Sequence, residues 1–344
     1  MPEVPGRTAI VIVNYRTPDL AIRCVRSLQG ERAALPGLDV VVVDGGSADG
    51  SAEHIGEALS APDLADWATL LPLPINGGFG WANNQAMLRL LQRPDPPDFI
   101  HILNPDTEIE PGAVARLAGH LARNPKCGAV GSLLLDPDGT PSGSAFRFPS
   151  IGREFVRGSA TPALGRLLGI RPTLAEEPGA EPDWVTGASV MFRSEALREA
   201  GLFDSGFFLY FEEVELMWRL RRAGWSIAHD PQSRVFHVGG AATGVRVTKA
   251  QRRPAYWFNS RRRMFVRTRG AGVSFSAALA WIAGRALWKL RELLRLTRGQ
   301  PAAAPETVDH LRLSLRARPE DRQAAVVRWN DAPDTPPAWM SFPQ

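Results

Sequence analysis

Apolar residues in the first third of the chain fall into short unbroken runs, separated by segments of helical period. Thr8–Val13 is largely β-branched, Asp39–Val43 reads Asp-Val-Val-Val-Val, and Phe99–Leu103 is almost wholly apolar. Runs this short and continuous suit strands buried on both faces, as in parallel sheets. Thr69–Leu73 is a weaker run of the same kind. Between the first two, Leu20, Cys24, Val25 and Leu28 recur at helical spacing after Thr17-Pro18, an N-cap with proline at the first helical position. Further helices are expected up to Leu59, from the glycine-rich Asn76–Gly80 through Asn83, Asn84, Met87 and Leu91, and from Pro111 to Ala122. Strands alternating with helices, joined by connections long enough for crossovers, predict a doubly wound α/β half.

The period fades after Gly128. Residues 136–182 are rich in Gly, Pro and Ser and read as a long functional connection. Regularity returns with a strand over Asp183–Phe192, a helix from Ser194, another over Glu212–Ala223 and a β segment near Ser233–Val238. A basic helical region follows Thr248. The tail from Gln300 is Pro- and Ala-rich with one amphipathic patch, Val308–Leu315, and its end is expected to be mobile.

With 344 residues, 44% of them hydrophobic, the chain can bury one large core or two modest ones. The net charge of +4 is unevenly spread: from Arg246 to Arg298 the only carboxylate is Glu292. That local excess fits an anionic partner without choosing among nucleotide, nucleic acid and phospholipid. Two distant cysteines, Cys24 and Cys127, predict no disulfide framework and a reduced, cytosolic chain. The N-terminus lacks the apolar core of a signal peptide, and no window approaches roughly 18 uninterrupted apolar residues. There are no internal repeats.

Candidate chemistry gathers at strand ends. Asn104-Pro105 breaks the Phe99–Leu103 run and delivers Asp106, because proline cannot continue a ladder and restricts the residue before it. A carboxylate just past a core strand sits where open α/β sheets bind ligands, and suits a divalent metal carrying a diphosphate. An ordinary strand-to-helix turn is the plainer explanation. The loop Asp44-Gly-Gly-Ser-Ala-Asp-Gly50 pairs a strand-end acid with glycines, but it is neither G-x-G-x-x-G nor a phosphate loop ending in Lys. Around Asn76, Asn83 and Asn84, side-chain amides suit sugar or base hydroxyls, and turn chemistry explains Asn76 equally well. In Phe203–Glu215 an aromatic run abuts Glu212, Glu213 and Glu215 at a helix start. The helix dipole favours acids there, yet aromatic neighbours would desolvate them and raise their pKa toward that of a general base. Arg219, Arg221 and Arg222 lie at pairing distance along the same helix. His237, in Phe-His-Val-Gly-Gly, gains interest beside a metal-competent Asp106.

Ile10-Val-Ile-Val-Asn-Tyr15, Val43–Ser51, Asn76–Asn84, Leu103-Asn-Pro-Asp106, Thr186-Gly-Ala-Ser189, Gly201-Leu-Phe-Asp204, Phe207–Glu215 and His237, in that order, resemble the inverting glycosyltransferases of family 2. These have the GT-A fold, and the likeness is greatest to bacterial rhamnosyltransferase-like members, over roughly Ala9 to Gly270. The resemblance implies a GT-A domain over residues 1–245, its nucleotide-sugar half about 8–135 and its acceptor half about 136–245. A basic helical extension (246–300) and the tail (301–344) would follow. It implies that Asn14, Tyr15, Asp44, Gly46, Asn76, Gly78, Phe79, Asn83, Asn104, Gly187 and Ala188 contact the nucleotide sugar. Phe203, Asp204 and Tyr210 would face the acceptor. Asp106, ending a D-x-D-type motif, and His237 would hold Mg²⁺ or Mn²⁺, and Glu213 would be the catalytic base with Glu212 its partner. Here the pair is Glu-Glu where Glu-Asp is usual, and Gly45 stands where Asn is common. The chemistry is coherent: displacing a nucleoside diphosphate needs its charge neutralised and one base for the acceptor hydroxyl, and a single in-line displacement inverts the anomeric centre.

The expected activity is transfer of a sugar such as rhamnose from a UDP- or dTDP-linked donor to a cell-surface polysaccharide or polyprenyl-linked precursor. A nucleotidyltransferase would need basic residues and a phosphate loop after the first strand, and Asn14-Tyr-Arg-Thr-Pro-Asp19 is not one. A sugar-nucleotide-binding scaffold without turnover is the non-enzyme alternative. In the stretch 273–298, Leu279, Ile282, Ala286, Leu287, Leu290, Leu293 and Leu294 share one helical side, while Arg285, Lys289, Arg291 and Arg295, with Trp281 and Trp288, share the other. This suits a helix at a membrane surface, one packed on its own domain, or one across a homodimer. No nucleic-acid motif accompanies the charge, so nucleic acid is not expected as a partner.

Overall fold

The computed structural model describes residues 6–177, 180–238, 252–297 and 305–342. The start of the chain, the expected boundary at 245/246 and the head of the tail lie outside them. The first elements follow the expected alternation: β1 (Thr8–Asn14), α1 (Pro18–Ser27), β2 (Asp39–Asp44), α2 (Ser51–Leu59), β3 (Ala68–Pro72), α3 (Phe79–Leu91) and β4 (Phe99–Leu103). Next come β5 (Thr107–Ile109), α4 (Ala113–Arg123), β6 (Cys127–Leu135), β7 (Pro141–Ser142), β8 (Ala145–Phe146), α5 (Ile151–Ser159) and α6 (Pro162–Leu167). Then β9 (Trp184–Val185), β10 (Ser189–Arg193), α7 (Ser194–Ala200), α8 (Glu212–Arg222) and β11 (Ser226–His237) complete the strands. The described C-terminal elements are α9 (Ala255–Arg269), α10 (Ala271–Leu293), α11 (Glu306–Leu313) and α12 (Pro319–Arg322).

The main sheet runs β3-β2-β1-β4-β10-β6-β11-β5, with β7 on β6. Its first four strands are parallel, and β10 lies antiparallel between β4 and β6. Alternate residues feed two cores. Ile10, Ile12, Val40 and Val42 pack with Val25, Ile55, Leu117 and Leu121, whereas Val11, Val41 and Val43 pack with Trp81, Met87, Leu216 and Met217. Both faces are covered, which is why these strands are uninterrupted apolar runs. The parallel register aligns Asn14 with Asp44 and Ile12 with Leu103, so three chain turns leave the sheet at one edge.

The long connection expected over 136–182 is partly helical. α5 is capped by Ser150, whose hydroxyl accepts the Arg153 N–H at 3.3 Å. Its glycines mark contact, not looseness: a Cβ on Gly158 would lie 2.2 Å from the Trp281 carbonyl oxygen, and one on Gly284 would lie 2.2 Å from that of Phe155. Thus α5 and α10 cross backbone to backbone. Similarly, β6 breaks its apolar pattern at Gly131, where a Cβ would meet Val185 at 2.7 Å. The strand expected over Asp183–Phe192 is split into β9 and β10 by Thr186-Gly-Ala188.

The basic region is not a solvated face. Arg261, Arg262 and Arg263 are buried, and they pair with Glu154 at 2.8 Å, Asp321 at 2.6 Å and Asp204 at 2.7 Å. Helix α10 buries Trp281, Arg285 and Trp288, with the Arg285 guanidinium over both indoles, and turns its leucines outward: Leu290 is 53% exposed and Leu293 79%. Nor is the described end of the tail loose. Leu202 N–H donates to the Val327 carbonyl at 2.8 Å, Trp81 Nε1 to Thr335 at 2.8 Å, and Trp339 Nε1 to Gly77 at 2.8 Å. Indole donors and backbone bridging, invisible to a composition argument, hold it down.

Removing one partner of a buried ion pair strands the other charge. Asp321→Ala should therefore destabilise the chain by about 3 kcal/mol, read as a lower urea midpoint with an unchanged slope.

Candidate active site

A cavity of about 450 Å³ opens at the edge where β1, β2 and β4 end. Tyr15, Gly45, Asn104 and Asp106 come from those strand ends, Asn76, Gly78 and Phe79 from the glycine loop, and Gly187 and Ala188 from the β9–β10 break. The later half supplies Tyr210, Glu212, Glu213 and His237. The ladder explains the meeting of Asp106 and His237. Strand β11 pairs His237 with Thr107, and the Val238 N–H donates to the Asp106 carbonyl at 3.0 Å. His237 Nε2 then lies 3.3 Å from Asp106 Oδ1. Asn104 N–H donates to the Ala188 carbonyl at 2.9 Å, which locks the Asn104-Pro-Asp106 turn to the opposing loop.

The glycine loop is shaped by close approach. Gly78 has φ +89°, and a Cβ there would lie 2.0 Å from the Phe208 carbonyl oxygen, which accepts the Phe79 N–H at 3.1 Å. Just beyond, Tyr210 and Phe211 both hold left-handed backbones (φ 71° and 70°), rare for non-glycine residues and concentrated at functional sites. This bend starts α8 with Glu212 and Glu213 at its N-terminus. The helix dipole favours their ionised forms, yet burial wins. Burial pushes Glu213 from 4.5 up to about 7, and it pushes Glu212, which also feels the Glu213 charge, well above its ordinary value. One carboxylate oxygen of each has no hydrogen-bond partner among the described residues. Glu215 is different: it pairs with Arg219 at 2.9 Å, and Arg219 also ties down the carbonyls of Ala200, Gly201 and Leu202.

Six expected contact residues do not line the cavity. Asn14 is buried, donating to Asp44 at 2.8 Å and accepting from the Thr17 N–H at 3.1 Å. Asp44 in turn holds the N–H and hydroxyl of Ser47, at 3.0 and 2.6 Å. These two polar groups shape the βα turns behind the wall. A Cβ on Gly46 would meet Ile75 at 2.5 Å, so this glycine permits loop-to-loop contact. Asn83 is buried in α3 and bonds the Phe79 carbonyl at 2.9 Å. Phe203 is core, edge-on to Phe79 and Phe192. Asp204 is buried on Arg263. In the other direction, sequence reasoning missed Arg253, the one cation among the described lining residues. It lies 3.5 Å from Glu306 with its guanidinium over Trp257. Nothing local sets it apart from the other arginines of the basic region that follows Thr248.

Asp106 and His237 offer one hard oxygen and one imidazole nitrogen. Among the described residues no cluster of three or more His, Cys, Asp or Glu could hold an ion unaided. Such a pair fits a cation that draws its remaining ligands from a bound diphosphate.

The sequence matches the family model "Glycosyl transferase family 2" over residues 9–163. It is 31% identical over 220 residues to an N-acetylglucosaminyl-diphospho-decaprenol L-rhamnosyltransferase of Mycobacterium tuberculosis, covering 60% of this chain and 68% of that protein. It is 27% identical over 169 residues to rhamnosyltransferase WbbL of Escherichia coli, covering 46% and 60%. The mannosyltransferase PcManGT of Pyrobaculum calidifontis, solved with GDP-Man and Mn²⁺, superposes with a TM-score of 0.54 at 16% identity, over 89% of this chain and 80% of that one. GalNAc-T7, solved with UDP, GalNAc and Mn²⁺, gives 0.52 at 17% identity, over 84% and 55%. This chain belongs to glycosyl transferase family 2, as a bacterial rhamnosyltransferase-like glycosyltransferase with the GT-A fold.

Proposed function

We propose that the chain moves rhamnose or a similar sugar, with inversion, from a UDP- or dTDP-linked donor to a hydroxyl of a surface polysaccharide or its polyprenyl-linked precursor. The observation that carries this is one cavity holding both Glu213 and the Asp106–His237 pair. Asp106 and His237 would bind Mg²⁺ or Mn²⁺ together with the donor diphosphate, the ion supplying Lewis-acid neutralisation of the leaving charge. Arg253 adds a fixed cation at the same wall. Glu212, the more buried acid, holds its proton while Glu213 ionises and takes the proton of the acceptor hydroxyl. The mycobacterial relative acts on a decaprenol-linked acceptor by its name, which supports a lipid-linked acceptor here.

No helix among the described residues is long and apolar enough to cross a membrane. The bare leucine face of α10, flanked by exposed Lys289 and Arg295, instead supports a peripheral position on an anionic bilayer at the cytoplasmic side. Co-sedimentation with phosphatidylglycerol vesicles tests this. Leu290→Glu with Leu293→Glu should release most of the bound protein, and undiminished binding would sink the idea.

For the donor site, melting is followed with UDP, dTDP, GDP or CDP, each with Mn²⁺, Mg²⁺ or EDTA. A ligand bound only by the native state raises the melting temperature. UDP or dTDP should stabilise in a metal-dependent manner, and Asp106→Ala should abolish that dependence. Stabilisation untouched by EDTA would reject the metal assignment.

For the base, transfer should rise with pH through about 7, where Glu213 ionises, and should be lost in Glu213→Gln. The sign for stability is opposite. A carboxyl raised by folding stabilises fully below its unfolded pKa of 4.5, and that contribution fades as pH climbs through about 7. Glu213→Gln should thus melt above the wild type at pH 8 and level with it at pH 4. A pH-independent difference would refute the desolvated base.

A further inference from the structure

A second cavity, of about 390 Å³, lies between α9 and the C-terminal tail. Phe208 lines both it and the active-site cavity. Tyr256, on its wall, stacks on Tyr210 of the active-site cavity, with centroids 6.1 Å apart and planes 20° apart. The Phe208 ring stands nearly perpendicular to both Tyr256 and Trp339, with centroids at 5.4 and 5.0 Å. The result is an aromatic corner one ring away from the reacting groups. We propose that this cavity is a subsite for a neutral saccharide unit of the acceptor, the one remote from the hydroxyl that Glu213 deprotonates. The proposal rests on the glycosyl-transfer reading above and extends it to residues 318–342, far outside the stretch matched by the family model.

Charge selects the ligand class. The cavity's cations are each paired: Arg262 with Asp321, Arg263 with Asp204, and Arg318 with Glu320. Among the described lining residues no arginine is left without a carboxylate for a phosphate to replace. A polyprenyl chain is no better suited, because it would cover Asn259, Arg318 and Glu320 without satisfying them. Asn259 accepts from Arg262 at 3.0 Å through its carbonyl oxygen, so its amide hydrogens are what it can offer a hydroxyl. A pyranose fits both sets, laying its C–H face on an aromatic ring and its hydroxyls on the polar rim. The wall is also tied to the chemistry: Trp339 Nε1 donates to the carbonyl of Gly77, next to cavity-lining Gly78.

The test is saturation-transfer NMR on the full chain with methyl β-N-acetylglucosaminide and its β-1,4-linked disaccharide, competed with decyl phosphate. Trp339→Leu and Trp339→Phe both lose the Gly77 hydrogen bond, but only the second keeps a stacking ring. The disaccharide should bind the wild type, about tenfold more weakly in Trp339→Leu, and within about twofold of wild type in Trp339→Phe. No transfer to either saccharide, equal binding in Trp339→Leu, or displacement by decyl phosphate would each overturn the subsite. The nucleotide melting shift of the wild type, measured alongside, reports the donor reading separately. A chain that shifts with UDP or dTDP yet ignores saccharides has lost only this proposal.

Discussion

Three consecutive arginines pin three separate segments of this chain to one helix. Successive helix positions point about 100° apart, so Arg261, Arg262 and Arg263 on α9 reach three different neighbours. Their carboxylate partners are Glu154 on α5, Asp321 on α12 and Asp204 just after α7. A buried guanidinium is tolerated only when paired and hydrogen-bonded, so each pair fixes where its neighbour must sit. One helical turn therefore registers the 150s helix, the tail and the segment that leads into Glu212 and Glu213. That is also why a stretch with almost no acids of its own is not a surface patch: its counter-charges come from elsewhere in the chain.

Asp204 links this frame to the site. It is held by Arg263, while its neighbour Phe203 exchanges two backbone hydrogen bonds with the Asn84 side chain, at 2.8 and 3.0 Å. The chain leaving that anchor must pass Gly78 and turn through two left-handed residues before α8 can begin. Strain in the turn and desolvation of Glu212 and Glu213 are both unfavourable, and the rigid surroundings sustain them. The consequence is chemical: burial brings the Glu213 carboxyl from 4.5 to about 7, the range in which a general base works at neutral pH.

The first half was legible because its physics is local. Continuous apolar runs and helical spacing locate β1 to β4 and α1 to α4 within a residue or two, and the strand-end rule puts Asp106, Tyr15 and Asn104 at the cavity. What failed was whatever depends on the partner's shape. Gly131, Gly158 and Gly284 carry no sequence signal of the close contacts they permit. Asn14 and Asp44 stand at the right strand ends, yet spend their hydrogen bonds on each other and on Ser47. On α10 the projection separates the two sides correctly but does not choose which one packs: arginine–indole stacking buries the Trp side, leaving the leucines bare. Arg253 carried no local signal distinguishing it from Arg261 to Arg263.

The family-matched stretch ends at residue 163, before Glu213, His237 and Arg253. The matched strands alone thus supply Tyr15, Asn104 and Asp106 to the cavity but neither of its glutamates. The antiparallel β10 and the β11–β5 ladder bring the second half back over that edge, and the tail completes it from outside. Trp81 and Trp339 clamp the tail on either side of the loop that carries Gly78. A segment that composition marks as a Pro- and Ala-rich afterthought is therefore part of the site's architecture. Because Trp339 lines the second cavity and bonds to the backbone of the glycine loop, a change in the tail bears directly on Gly78 and Phe79 at the first, and the two cavities share one piece of chain.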